Sequence, residues 1–163
     1  MEQLDIETPS VVIDLDIAEA NIAKYQAYCD KLGLHLRPHV KTHKIPDLAK
    51  KQLAAGASGI TCQKISEAEA MISEGGIDDI LLTYNVLGQR KLHRLRQLSE
   101  KVRLSVVADN ITCIKGLSET FHDAQTPLTV LVECDTGALR CGVVSPDEAL
   151  ELAQAIDSLP GIR

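Results

Sequence analysis

Potentially reactive side chains are concentrated in the segment RPHVKTHK, residues 37–44. Side chains of an extended chain alternate between two faces, so four cationic or titratable side chains would share one face: Arg37, His39, Lys41 and His43. A lysine among cations in a partly dry pocket loses its proton more readily, and the free amine can attack a carbonyl. We therefore predict that Lys41 is a nucleophile. A solvated strand end is the alternative explanation of the same residues. We expect no metal at the histidine pair, because its i, i+4 spacing needs a helix that Pro38 disfavours.

A second group of polar residues occupies the segment ECDTGALRCGV, residues 133–143, directly after a predicted strand. Barrel enzymes keep their sites at the carboxyl ends of strands, so Arg140 is a candidate binding residue. An ordinary turn with a surface arginine is the alternative. Further polar residues stand at the predicted carboxyl ends of other strands: Asp14, Gln63, Lys64, Tyr84, Asn85, Asp109 and Asn110. Together they predict one polar rim.

Short β-branched runs alternate with helical segments along the chain, which indicates an α/β fold with a parallel sheet. We predict strands at residues 11–13, 34–40, 58–64, 78–85, 102–109 and 128–135. The predicted helices cover residues 16–32, 46–55, 66–74, 89–101, 112–123 and 146–159. Capping boxes are expected at Ser66 with Glu69 and at Ser145 with Glu148.

The six strand–helix units recur at short intervals, which favours a (β/α) barrel over a doubly wound sheet. A complete eight-unit barrel needs about 200 residues or more, and this chain has 163. We therefore predict that residues 1–163 form a single partial (β/α)8 barrel domain, truncated after about six units, with the last residues leading into another strand. Its first and sixth strands would lack partners. A complete six-unit open α/β domain is the alternative.

The composition disfavours several classes of protein, including those that bind nucleic acids or span membranes. The net charge is −6 and aromatic residues make up 2% of the chain, which disfavours binding to nucleic acids. The sequence contains no apolar run long enough to span a bilayer, and its acidic N-terminus does not resemble a secretion signal. The five scattered cysteines form no zinc or disulfide pattern. We expect a cytoplasmic protein without membrane or nucleic-acid partners.

Four motifs in order resemble the D-threonine aldolase family, which groups with D-serine dehydratases in the alanine-racemase-like fold of pyridoxal-phosphate enzymes. They are TPSVVIDLD at residues 8–16, RPHVKTHK at 37–44, GITCQKISEAEAM at 59–71 and VLVECDTGALRCGV at 130–143. The resemblance implies the alanine racemase N-terminal type of barrel, followed in the family by a β-rich domain. The remaining barrel units, that domain, the family's phosphate-binding loop and its catalytic histidine would lie beyond Arg163.

The resemblance also implies roles for six residues. Lys41 would carry pyridoxal phosphate, with His39 and His43 on either side of it. Arg140 would contact the cofactor ring, and Gln63 and Asn85 would line the mouth of the barrel. The implied activity is cleavage of a D-amino acid to glycine and an aldehyde by a homodimer, with a divalent metal, Mn²⁺ or Mg²⁺, whose ligands are not in this chain. A D-serine dehydratase and a non-catalytic pyridoxal-phosphate-binding protein are the alternatives, and we expect these 163 residues alone to be inactive.

Overall fold

The computed structural model describes residues 6–163, which contain six helices and four strands. In chain order the elements are α1 (Leu15–Lys31), α2 (Pro46–Ala54), β1 (Ile60–Cys62), α3 (Ile65–Ile72), β2 (Asp79–Leu82), α4 (Gln89–Ser99), β3 (Arg103–Ala108), α5 (Ile111–Phe121), β4 (Thr129–Val132) and α6 (Pro146–Ser158). All six predicted helices are confirmed, with ends that differ by a few residues.

The strands form one sheet in the order β1-β2-β3-β4, and every neighbouring pair is parallel. Each connection between consecutive strands contains a helix, as a parallel sheet requires. The register aligns Leu82 with Cys62 on one side and with Val106 on the other. Because the strands run in the same direction, their carboxyl ends meet along one side of the sheet. We call this side the carboxyl edge and the opposite side the amino edge.

The core lies between the sheet and its helices and is almost wholly aliphatic. Strand residues such as Ile80 and Val106 are fully buried against helix residues such as Leu117, and Phe121 is the one large aromatic ring among the most buried side chains of residues 6–163. No helix within these residues is long and apolar enough to cross a membrane.

Two of the six predicted strands differ from the prediction. Residues 11–13 lead into α1 without joining the sheet, and Val11 is 94% exposed. The predicted strand at residues 34–40 bonds to β1 but forms no full strand: the Thr61 amide donates to the Pro38 carbonyl oxygen (2.8 Å), and the Val40 amide donates to the Thr61 carbonyl oxygen (2.9 Å). The pairing stops there because the chain turns at once, so only a single bridge between His39 and Thr61 forms.

The other edge of the sheet also differs from the expectation. The last residues run parallel to the start of β4: the Leu128 amide donates to the Gly161 carbonyl oxygen (3.0 Å), and the Val130 amide donates to that of Arg163 (2.9 Å). The last residues of the chain therefore pair with the first half of the predicted sixth strand. This agrees with the prediction that they lead into another strand. The second half is open, and Leu131 is exposed.

Helix capping confirms one predicted capping box and contradicts the other. The Ser145 side chain accepts from the Glu148 amide, and the Glu148 side chain accepts from the Ser145 amide. In contrast, α3 begins at Ile65, one residue before Ser66, without a side-chain cap. Glu69 therefore lies beyond the capping position and pairs with Arg94 of α4.

Candidate functional site

The carboxyl edge gathers polar residues from five consecutive segments. They are His39 and Lys41 after the extended segment 34–38, Gln63 after β1, Thr83 and Asn85 after β2, Asp109 after β3, and the loop 134–143 after β4. We call this loop the Arg140 loop. The placement follows from the topology, because parallel strands joined by helices bring all of their carboxyl ends to the same edge.

His39 is fixed on both sides of its ring. The backbone amide of Lys41 donates to His39 Nδ1 (3.3 Å), and His39 Nε2 lies 3.4 Å from Thr83 Oγ1. Since Nδ1 accepts a hydrogen bond, the neutral ring carries its proton on Nε2 and donates to Thr83. Burial and the nearby charge of Lys41 lower the pKa of His39 below its usual value. This environment therefore favours the neutral form of the imidazole.

Lys41 lies in a turn beside this imidazole. The turn is closed by the Lys44 amide, which donates to the Val40 carbonyl oxygen (2.8 Å), and Lys44 has a positive φ of 56°. The Lys41 side chain is exposed and forms no ion pair within residues 6–163. The expected partly dry pocket is therefore absent from the described part of the chain. The Lys41 amine lies at the carboxyl edge of the sheet and pairs with no Asp or Glu side chain of the described residues.

The expected single face of four cationic or titratable side chains is wrong. The chain leaves the extended conformation at Val40, so the alternation ends before Lys41 and His43, and Arg37 forms an ion pair elsewhere. Arg37 bonds to Asp79 at the start of β2 (Nη1 to Oδ1, 2.7 Å), and Arg103 bonds to the same carboxylate (2.8 Å). Arg37 therefore belongs to an ion-pair network at the amino edge. His43 Nδ1 accepts from the Ile45 amide (3.0 Å) within the turn.

The structure brings His43 towards the helical layer. Burial lowers the pKa of His43, and a side-chain contact with Gln52 of α2 partly opposes this. The described contacts of His43 therefore stabilise the turn that carries Lys41. None of them joins His43 to His39, Gln63 or Asn85.

Gln63 lies beside His39 and is supported by a buried carboxylate that the sequence analysis missed. The Gln63 side-chain amide donates to the Thr83 carbonyl oxygen (3.4 Å), and its backbone amide donates to Glu67 Oε2 (2.8 Å). Glu67 also pairs with Lys44 Nζ (3.1 Å), although its side chain is only 7% exposed. Burial raises the pKa of Glu67, but the Gln63 amide and Lys44 outweigh this effect and the net pKa lies below the usual range.

A local signal for Glu67 exists in the sequence. A glutamate in the first turn of a helix that closely follows a strand can accept from a backbone amide four residues earlier, before the helix begins. The prediction of a box between Ser66 and Glu69 obscured it. Thr83 has no comparable signal, because its bond to His39 joins residues 44 positions apart.

Asn85 and the Arg140 loop meet at Asp109. Asn85 Nδ2 donates to Asp109 Oδ1 (2.6 Å), and the Asp109 amide donates back to Asn85 Oδ1 (3.2 Å). On the other side, the Gly142 amide donates to Asp109 Oδ2 (3.0 Å). Burial raises the pKa of Asp109, but the hydrogen bonds from these donors and from Asn110 lower it by more. The net pKa lies below its usual value, so the carboxylate is ionised at neutral pH.

The Arg140 loop has a defined backbone. Asp135 Oδ1 accepts from the amides of residues 137, 138 and 139, and the Val143 amide closes the loop by donating to the Glu133 carbonyl oxygen (2.9 Å). Gly142 has a φ of 97°, and a Cβ at this position would lie 2.6 Å from the Asp135 backbone nitrogen. Only glycine fits there. The loop presents the exposed Arg140 side chain at the same edge as Lys41.

These groups define what the edge can bind. An unpaired primary amine can form a covalent bond with an aldehyde, a neutral imidazole can pack against or donate to an aromatic ring, and a guanidinium can pair with an anionic oxygen. No group of three or more potential metal ligands occurs within residues 6–163. The donor set thus fits an aldehyde that carries an aromatic ring and oxygen substituents.

A parallel sheet with a binding edge at its carboxyl ends is typical of enzymes built on (β/α) barrels. Residues 13–163 match the family model described as "Alanine racemase, N-terminal domain", and the chain therefore belongs to that family. This confirms the predicted resemblance and the predicted fold class, although the barrel is not closed within these residues. Membership implies pyridoxal phosphate as the cofactor.

The similar proteins include D-amino-acid aldolases and dehydratases. The chain is 43% identical over 158 residues to a D-threonine aldolase of Arthrobacter sp, covering 97% of this chain and 41% of that protein. The crystal structure of D-threonine aldolase from Filomicrobium marinum superposes with a TM-score of 0.93 at 41% identity, covering 98% of this chain and 43% of that one. D-threo-3-hydroxyaspartate dehydratase from Delftia sp. HT23 gives a TM-score of 0.86 at 34% identity, covering 98% and 42%. The chain thus spans about two fifths of the length of these relatives.

Proposed function

We propose that this chain supplies the cofactor-carrying part of a pyridoxal-phosphate-dependent D-amino-acid lyase of the D-threonine aldolase type. The observation that carries the proposal is the Lys41 amine at the carboxyl edge, which forms no ion pair within residues 6–163 and lies beside the His39 ring. The similarity to a D-threonine aldolase over 97% of the chain supports the choice of reaction.

In this proposal the residues of the edge bind and orient the cofactor. Lys41 Nζ would hold the cofactor by condensing with its aldehyde group, and the aldehyde oxygen would leave as water. His39, held by Thr83 and kept neutral, contacts the ring without adding a second positive charge next to Lys41. Arg140 would pair with the 3-oxygen of the cofactor ring. Pyridoxal phosphate, when bound, withdraws electrons from the Cα of an attached amino acid.

The other predicted contacts have supporting roles. Gln63 and Asn85 keep the mouth of the site polar and oriented through their bonds to Thr83 and Asp109. His43 stabilises the turn that presents Lys41. The proposal includes a homodimer and a divalent cation, Mn²⁺ or Mg²⁺, for the complete polypeptide, with the cation bound outside residues 6–163.

The first test is covalent trapping at Lys41. Pyridoxal phosphate added to the chain should produce a visible absorption band, and borohydride should then fix the cofactor to a single peptide that contains Lys41. Lys41→Arg keeps the positive charge but should abolish both the band and the label. Lys64→Ala, at an exposed lysine nearby, is the matched control and should retain both. A label on Lys44 or Lys64 would contradict the proposal.

The second test separates the two lyase reactions. An aldolase releases glycine and acetaldehyde from D-threonine by cleaving the Cα–Cβ bond, whereas a dehydratase releases ammonia and a keto acid from a D-3-hydroxy amino acid. Similarity to the Delftia dehydratase makes the second reaction the alternative candidate. Both products should be assayed with the complete polypeptide, pyridoxal phosphate and Mn²⁺. Ammonia without glycine would replace the aldolase assignment with the dehydratase assignment.

A further inference from the structure

We infer that Asp109 is a positioning residue that holds the Arg140 loop and the Asn85 side chain in place at the carboxyl edge. Its role toward the cofactor rests on the proposed function, because Arg140 and Asn85 are proposed cofactor contacts. The positioning itself is a property of the chain without cofactor.

The Asp109 carboxylate accepts hydrogen bonds from residues of three different segments. Oδ1 accepts from Asn85 Nδ2 (2.6 Å) and from Asn110 Nδ2 (2.9 Å), and Oδ2 accepts from the Gly142 amide (3.0 Å). These donors follow β2, β3 and β4 in turn. Asp109 does not cap α5, because Asn110 performs that role by accepting from the Cys113 amide. The carboxylate is therefore committed to connecting strand ends.

Three converging donors require a group with acceptors on both oxygens. An ionised carboxylate meets this requirement, whereas an amide at the same place would direct one NH₂ group at a neighbouring donor. The low pKa of Asp109 is consistent with this environment. The Asn85 side chain is bound at both of its ends, since it donates to the Asp109 carboxylate and accepts from the Asp109 amide. Both described hydrogen bonds of the Asn85 side chain are therefore to Asp109, which sets its orientation.

The connection to Arg140 passes through Gly142, two residues further along the chain. The bonds of Asp135 organise residues 137–139 within the Arg140 loop, but they do not connect the loop to another strand. The bond from Gly142 to Asp109 does so, because Asp109 follows β3 directly. A Cβ at Gly142 would clash with the backbone of Cys134 and Asp135, so glycine lets the loop fold back on itself while the Gly142 amide donates to Asp109. Loss of the Asp109 charge should therefore release the part of the loop that carries Arg140.

Hydrogen exchange on the chain without cofactor tests the positioning. In the wild-type chain the Gly142 amide should be protected, unlike the amide of the exposed Arg140. In Asp109→Asn we expect Gly142 to exchange about 10- to 100-fold faster, the range for a lost charge-assisted bond. Asp123→Asn is the control, because this exposed aspartate pairs with Arg96 at a distance from the loop. An unprotected wild-type Gly142, or unchanged exchange in Asp109→Asn, would overturn the inference. The wild-type measurement decides the matter if the variant does not fold.

A double-mutant cycle tests whether Asp109 acts through Arg140. The apparent affinity for pyridoxal phosphate is measured in the wild type, Asp109→Asn, Arg140→Ala and the double variant. We expect the double variant to bind more tightly than the product of the two single losses predicts, because the second change removes an effect already lost. Fully multiplicative losses would show that Asp109 acts independently of Arg140. A wild-type chain that gives no absorption band contradicts the proposed function instead, while the exchange experiment still decides the positioning.

Discussion

Replacement of Glu67 gives the most direct measure of how the site is supported. Glu67 accepts from the Gln63 backbone amide and from Lys44, and its side chain is 7% exposed. A hydrogen bond to a charged group contributes about 1.5–3 kcal/mol to stability. The Lys44 side chain is 56% exposed, so that ion pair adds at most about 1 kcal/mol. We therefore expect Glu67→Ala to lower the free energy of unfolding by about 2–4 kcal/mol.

Glu67→Gln refines the prediction because it keeps the volume and one acceptor oxygen. It should cost about 1–2 kcal/mol, the part due to the charge. Glu69→Gln is the matched control two residues along the same helix. Glu69 is 42% exposed and pairs with Arg94 at the surface, so this change should cost less than about 1 kcal/mol.

Equilibrium urea unfolding, followed by far-ultraviolet circular dichroism at low protein concentration, compares the three variants. The expected order of stability loss is Glu67→Ala, then Glu67→Gln, then Glu69→Gln. Equal losses for Glu67→Gln and Glu69→Gln would show that the buried charge contributes nothing beyond a surface pair. The conclusion that the Glu67 carboxylate supports Gln63 would then be wrong.

Three further predictions concern pH, the amino edge and the chain as a whole. The pKa of His39 is lowered by burial and by Lys41, so the unfolded chain binds more protons between this pKa and the usual value of about 6.5. The contribution of His39 to stability is therefore greatest above pH 6.5 or so and is lost as the pH falls through the lowered pKa. Urea unfolding as a function of pH should show this decline, and His39→Asn should reduce it. Asp79→Ala leaves Arg37 without its partner and should cost about 1–3 kcal/mol, while the absorption band with pyridoxal phosphate persists; loss of the band would contradict the separation of the two edges. The 163-residue chain alone should be oligomeric in sizing chromatography, because half of β4 is open and Leu131 is exposed, and it should be inactive; a monomer that turns over D-threonine would refute both expectations.

Most of the fold could be predicted from local pattern. The helices follow from periodicity and caps such as Ser145, and four strands follow from β-branched runs that are buried on the helical side. The strand at residues 11–13 was predicted from the same kind of run, but a strand also needs a neighbour that donates and accepts. Within residues 6–163 that neighbour is missing, so the apolar side chains there are exposed.

The site could be predicted only as far as topology requires. Since a parallel sheet places the carboxyl ends of its strands together, the sequence was sufficient to place Lys41, Gln63, Asn85 and Arg140 at one edge. The motif resemblance gave their proposed roles. Alternation did not place Arg37 and His43 correctly. It holds only while the chain stays extended, and the chain turns before His43, whereas Arg37 is drawn to Asp79 by an ion pair.

What the sequence alone determined is the order of elements, the parallel sheet and the edge at which polar side chains meet. These features depend on local properties of the sequence, such as hydrophobic periodicity, helix caps and β-branched runs. What only the tertiary structure decided is which side chains support the site: Glu67 under Gln63, Thr83 beside His39, and Asp109 between Asn85 and Gly142. The bonds from Thr83 and Asp109 join residues 24 to 44 positions apart, and such pairs become neighbours only when the strands assemble in register, because the local sequence around either partner does not specify the other.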